Sequence, residues 1–203
     1  GITPKKKSLS CCWLCGSSSW KPVLGPADIC LQRCVGCGLL SDFSSPPTSD
    51  LAVSPEVVGA RLSLYEKLLS RVEENYGAGP RGRLLDAGCG TGEFLALARA
   101  RGWRASGVEL HPAAAKAAAA RGLDVRTGRL SQAGFPEGSF DVVTLWDVLD
   151  CAENPASELR EAFRILKPGG VIWTRVRNAP FHLACADFGR WLRLDFLSIL
   201  AVL

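Results

Sequence analysis

The sequence predicts an α/β fold: a doubly wound, mostly parallel sheet with helices on both faces, preceded by a small cysteine-rich module. Three observations carry this expectation. Strand-like and helix-like segments alternate at short spacing after residue 83, which implies right-handed crossovers between parallel strands. A glycine-rich turn, "LLDAGCGTGEF", joins the first of these strands to its helix. Upstream, six of the nine cysteines crowd into residues 8–43.

The elements follow in order. "SSPPTSD" (44–50) has the composition of a linker. From Pro55 to Tyr76 the apolar positions Val58, Leu62, Tyr65, Leu69, Val72 and Tyr76 step by four and three, one face of an amphipathic helix. Gly77, Gly79 and Pro80 end it. "RLLDAG" (83–88) reads as a strand, and a helix follows over 91–101, closed by Gly102. "RASGVEL" (104–110) is the second strand. Pro112 opens a small-residue helix that Gly122 stops. "LDVRT" is a short third strand and "SFDVVTLWDVL" (139–149) holds a buried fourth. "PASELREAFRILKPGG" reads as a helix with a Pro start and a Gly stop, and "GVIWTRVRN" as a fifth strand. The segment after residue 185 has a helical pattern. The expected domains are therefore a metal-binding module over 8–43, a linker over 44–54 and an α/β domain over 55–203.

The totals fit an ordinary globular chain: 203 residues, 47% apolar, 22% charged, net charge +4. Lys5-Lys6-Lys7 is the only basic run, so a nucleic-acid footprint of clustered cations is not evident. No apolar stretch reaches the roughly 20 residues of a membrane span, and no signal-peptide core is present. A cytoplasmic location is expected, which argues against disulfides as the default state of the cysteines.

The glycine turn selects its ligand by spacing. A dinucleotide fingerprint would need its third glycine three residues after Gly90, where Glu93 stands and would place negative charge against a pyrophosphate. No Gly-Lys-Ser/Thr follows, so the turn is not a P-loop either. Asp86-x-Gly88-x-Gly90-x-Gly92 resembles motif I of the class I S-adenosylmethionine-dependent methyltransferases. "FPEGSFDVVTLWDVLD" (135–150) and "AFRILKPGGVIW" (162–173) resemble that family's fourth-strand and fifth-strand segments.

The resemblance implies a Rossmann-like sheet and a methyl-transferring enzyme. Asp86, Ala87, Gly88, Cys89 and Gly90 would line the cofactor. Glu109 would accept from the ribose hydroxyls, a task suited to a carboxylate, with Leu110, Leu130 and Trp146 beside the adenine and the substrate. The plain alternatives are a solvated acid at Glu109, a capping role for Asp86 and a core role for Trp146. Asp147, Asp150 and His182 are candidates for orienting the acceptor or taking its proton. Two departures stand out. Arg129 falls where many relatives have an acid, and only 25 residues follow Asn178, so the last two strands are expected to be missing and the domain C-terminally truncated.

"CWLC" and "CVGCG" are two C-x2-C knuckles with 18 residues between them, zinc-ribbon spacing. Cys12, Cys15, Cys34 and Cys37 are the expected ligands of a structural zinc ion; metal-free thiols or disulfides are the alternatives. A ribbon before this domain is similar to a bacterial group that methylates sugar nucleotides and other small molecules, and also to some ribosomal RNA methyltransferases. The expected reaction is methyl transfer by in-line displacement to O, N or C of a small-molecule acceptor. An RNA methyltransferase whose ribbon grips nucleic acid, and a non-catalytic binding module, are the rival readings.

Overall fold

A computed structural model describes residues 11–12, 15–23, 31–42, 55–149, 152, 154–176 and 198–199. The chain divides into two compact units, one from 1–51 with 178–195 and the other from 52–177 with 196–203. In the first, strands β1 (Trp20–Pro22), β2 (Leu31–Cys34) and β3 (Leu40–Asp42) form an antiparallel sheet in that order.

The second unit carries α1 (Pro55–Tyr76), β4 (Arg83–Ala87), α2 (Glu93–Ala100), β5 (Arg104–Glu109), α3 (Pro112–Ala120), β6 (Asp124–Thr127), a short 3-10 turn (Leu130–Gln132), β7 (Phe140–Trp146), α4 (Pro155–Ile165), β8 (Leu166–Val176) and β9 (Ser198–Ile199). The sheet order is β6-β5-β4-β7-β8-β9. The first five strands pair in parallel, and β9 pairs antiparallel to β8. The direction of winding reverses between β4 and β7, so the loop after β4 opens at the switch point of the sheet.

Alternating strand residues feed two cores. Leu85, Val143 and Leu145 pack with Ala162 and Ile165 of α4 and with Leu130. Leu84, Val142 and Trp146 face the other way, onto Leu68, Leu69 and Val72 of α1, Phe94 of α2 and Trp103. On that side Glu73 accepts from Trp103 Nε1 at 3.3 Å and from Arg101 at 3.0 Å, which fixes α1 against the sheet.

Three sequence expectations need adjustment. Leu62 is exposed, whereas Leu68, outside the expected stripe, is buried beside Leu69 and Val72. Helix α4 stops at Ile165 rather than at the glycines. Leu166 is already extended, and Pro168 biases the residue before it away from helix. Strand β8 then runs through Lys-Pro-Gly-Gly with a register shift opposite Phe140–Val142. Gly170 is needed there, because a Cβ would lie 3.1 Å from the Asp141 carbonyl and 2.9 Å from that of Lys167. Finally, Ser198–Ile199 lies on the sheet edge within a segment whose pattern reads as helical. No described helix is long and apolar enough to cross a membrane.

Candidate functional site

The loop after β4 is tied to β5 before any ligand is considered. Gly88 N and Cys89 N both donate to Val108 O, at 2.7 and 3.1 Å. Glu109, at the end of β5, reaches across: its Oε2 accepts from Gly90 N at 2.8 Å and its Oε1 from His111 N at 2.7 Å. The carboxylate therefore shapes the turn. Each oxygen keeps a second lone-pair direction for a hydroxyl donor.

The three glycines differ in purpose, although all have positive φ. At Gly88 a Cβ would meet Val148 Cγ2 at 2.4 Å, and at Gly92 it would meet Leu123 Cδ1 at 2.4 Å and Ala118 Cβ at 3.2 Å. Those two serve close packing, and Gly92 explains the small side chains of α3. At Gly90 a Cβ would meet nothing within 4 Å. Gly90 is thus the glycine that leaves room above the turn. Gly92→Ala is expected to lower stability by about 1–3 kcal/mol through overpacking, read by denaturant unfolding.

Beneath the loop, Asp86 is 2% exposed, and its Oδ1 accepts from Thr144 Oγ1 at 2.7 Å. Burial, opposed by the Thr144 hydrogen bond and reinforced by the charge of Glu109, pushes its carboxyl up to about 7. Cys89 is buried against Gly107, where a Cβ would lie 2.6 Å from its sulfur; burial first, and then the charge of Asp86, raise its thiol. Ala87 and Leu130 point into the core and Leu110 is exposed. Trp146 is buried edge-on to Phe94, ring centroids 5.4 Å apart, so its indole is core. Of the residues expected at the cofactor, Gly88, Gly90, Glu109 and Leu110 reach the surface at the carboxyl edge. The others can act there only through backbone or by supporting these four.

Asp147 follows β7 with φ 59 and is held by Arg175 of β8, whose Nε donates to Oδ1 at 2.7 Å while a terminal nitrogen donates to Oδ2. Asp150 and His182 lie outside the described residues. The sequence reading missed Arg175, although a lone cation inside the apolar run "VIWTRV" was the available signal.

Residues 60–197, more than half of the chain, match the family described as methyltransferase domain. The chain belongs to that family, the class I S-adenosylmethionine-dependent methyltransferases. It is 33% identical over 125 residues to the ubiquinone biosynthesis O-methyltransferase of Albidiferax ferrireducens, covering 57% of this chain and 49% of that protein. To the malonyl-[acyl-carrier protein] O-methyltransferase of Serratia marcescens it is 36% identical over 100 residues, 46% of this chain and 37% of that one. The chain thus spans about half the length, or less, of these curated relatives. In fold it resembles the PH0226 protein of Pyrococcus horikoshii, with a TM-score of 0.55 at 23% identity over 66% of this chain and 60% of that one.

The four clustered cysteines belong to the other compact unit. Its two knuckles repeat one geometry. Gly16 N donates to Cys12 O at 2.8 Å and Gly38 N to Cys34 O at 3.0 Å, with both glycines at positive φ. The sulfurs of Cys12 and Cys37 lie 3.7 Å apart and those of Cys15 and Cys34 3.5 Å, with all four within 4.8 Å of one another. A disulfide would need about 2.05 Å. A tetrahedral ion with metal–sulfur bonds of about 2.3 Å sets its sulfurs about 3.8 Å apart. Burial raises the Cys34 thiol, but the amides of Cys37 and Gly36 and the Cys15 thiol outweigh it and bring it down to about 6.

Proposed function

We propose that the chain transfers the methyl group of S-adenosylmethionine to a small-molecule acceptor. The observation that carries this reading is the pairing of Glu109 with Gly90: a carboxylate locked at the end of β5 beside a turn with open space above it. When bound, the sulfonium supplies an activated methyl group, and alignment of the acceptor supplies much of the rate. The residues of this chain have the simpler tasks. Gly90 admits the cofactor to the backbone, Glu109 takes the ribose hydroxyls, and Val148 closes the space at Gly88. The curated relatives named above are O-methyltransferases, which makes oxygen the first acceptor atom to test.

We further infer a structural zinc ion in the four-cysteine cluster, whose thiolates match its charge and tetrahedral preference. The proposed boundaries are 8–43 for this module and 55–203 for the methyltransferase domain. Zinc would supply the fold of a module whose buried apolar side chains, among the described residues, are Cys12 and Cys34.

The test is calorimetric titration of S-adenosylhomocysteine into the wild type, Glu109→Gln and Gly90→Val. The wild type is expected to bind. Glu109→Gln, which can keep one amide on its oxygen, should bind about tenfold more weakly. Gly90→Val should lose binding because its side chain fills the ligand space, and since a β-branched residue is strained at φ 56 its melting temperature is read alongside. A folded wild-type chain that takes up no S-adenosylhomocysteine would sink the reading.

A further inference from the structure

The ends of β7 and β8 hold a buried cation that the cofactor reading leaves unused. The Arg175 side chain is 6% exposed, whereas the carboxylate that neutralises it, on Asp147, is 44% exposed. The guanidinium fork grips both carboxylate oxygens, and Asp147 N donates to Arg175 O at 3.1 Å. A buried ion costs several kcal/mol to desolvate, and apolar residues of like volume generally serve stability as well or better. Stability therefore gives a weak reason for Arg175.

Three further features point into the site. Asp147 is the only non-glycine residue at positive φ among those described, a strained arrangement that gathers at functional positions. Its neighbour Val148 is the residue against Gly88, so the pair borders the cofactor turn. From α1, Tyr65 packs edge-on against Phe94 with ring centroids 5.5 Å apart, and its hydroxyl, raised first by burial, feels the carboxylates of Asp86 and Glu93 as well as the cations of Arg61, one turn earlier, and Arg175.

We propose that this corner seats a carboxylate of the methyl acceptor, with Arg175 as its fork and Asp147 as the group that fills the seat until the acceptor arrives. The proposal rests on the methyltransferase reading above. The seat already fits a planar carboxylate, because Asp147 occupies it in two-pronged fashion. Exchange of one carboxylate for another keeps the buried cation paired throughout, and Asp147, half in solvent already, swings outward. A carboxylate gripped by a guanidinium is a poor nucleophile. The acid group is therefore a handle, and the methylated atom lies elsewhere on the acceptor.

Malonate is the probe, titrated calorimetrically into the full chain with and without S-adenosylhomocysteine. Inorganic phosphate is the comparison anion. Wild type should bind malonate weakly, since Asp147 competes. Asp147→Gly suits the positive φ and empties the seat; it and Asp147→Asn should bind malonate about tenfold more tightly. Arg175→Met should lose malonate binding, and Arg61→Ala should weaken it. S-adenosylhomocysteine binding reports separately on the cofactor half, so its failure in the wild type would sink the methyltransferase reading while the malonate comparison still stands or falls alone. Should Asp147→Gly fold only in malonate, that supports the seat; should it fail in both, Asp147→Asn decides. Asp147 variants that bind malonate no better than wild type, an Arg175→Met protein that binds it equally well, or phosphate binding as tight as malonate would each overturn the proposal.

Discussion

Removal of the proposed zinc ion by a strong chelator is expected to unfold β1–β3 while β4–β8 stay folded. The three strands contain three, four and three residues. Among the described residues of this unit the buried apolar side chains are Cys12 and Cys34, themselves the expected ligands. Among the described residues, no other buried apolar side chain is left to hold the unit once that metal is gone. A structural zinc site contributes on the order of 10 kcal/mol to such a module, far more than three short strands supply alone. The methyltransferase unit, in contrast, carries its own apolar clusters around Leu85, Val143 and Ile165 on one face and Leu69, Phe94 and Trp103 on the other. Amide hydrogen exchange separates the two responses. Protection of Arg33 and Cys34 should collapse on chelation, and that of Leu85 and Val143 should persist. Cys34→Ser should reproduce the loss in the presence of zinc, because a serine hydroxyl is a poor replacement for a thiolate ligand. Cys11→Ser is the control: Cys11 is exposed and outside the four-sulfur cluster. Protection of β2 that survives chelation would mean that the cysteines hold the unit together without metal.

Much of this architecture was legible in the sequence because its signals are local. Alternation of strand and helix gave the parallel sheet, and paired C-x2-C knuckles gave the sulfur cluster. Local signals fail where distant residues decide. Pro168 and the glycines after it read as a helix stop, yet they belong to a strand whose path is set by the Asp141 carbonyl across the sheet. Three glycines in one turn look equivalent in sequence. Only the partners Val148, Leu123 and Ala118, up to 60 positions away, separate the packing glycines from the open one. Glu109 stands out in the sequence as a candidate for holding hydroxyls, but its bonds to the Gly90 and His111 amides do not, since a carboxylate's backbone partners leave no pattern. Arg175 was overlooked for the same reason: its meaning depends on Asp147, 28 residues earlier.

Asp86 is expected to make the stability of the methyltransferase unit fall as pH rises from about 4 to 7, and Asp86→Asn is expected to remove that fall. The cause is burial under the cofactor turn, where the carboxyl has one hydrogen-bond donor, Thr144 Oγ1, and the charge of Glu109 nearby. Its folded value of about 7 lies above the ordinary 3.8. Between those values the folded chain keeps the proton and the unfolded chain has released it. Folding then takes up a proton, and each unit of pH costs about 1.4 kcal/mol. The contribution is fully present below the unfolded value, shrinks through the window and is gone above the folded one. About three units of separation give roughly 4 kcal/mol in total, or on the order of 10 °C in melting temperature for a domain of this size. The asparagine variant keeps an acceptor for Thr144 and cannot ionise. Its melting temperature minus that of the wild type should therefore climb with pH and level off near 8. Both proteins share every other titrating group, so the difference isolates this one. A difference that stays flat from pH 4 to 8 would mean that Asp86 is ionised throughout, held by a donor that offsets its burial.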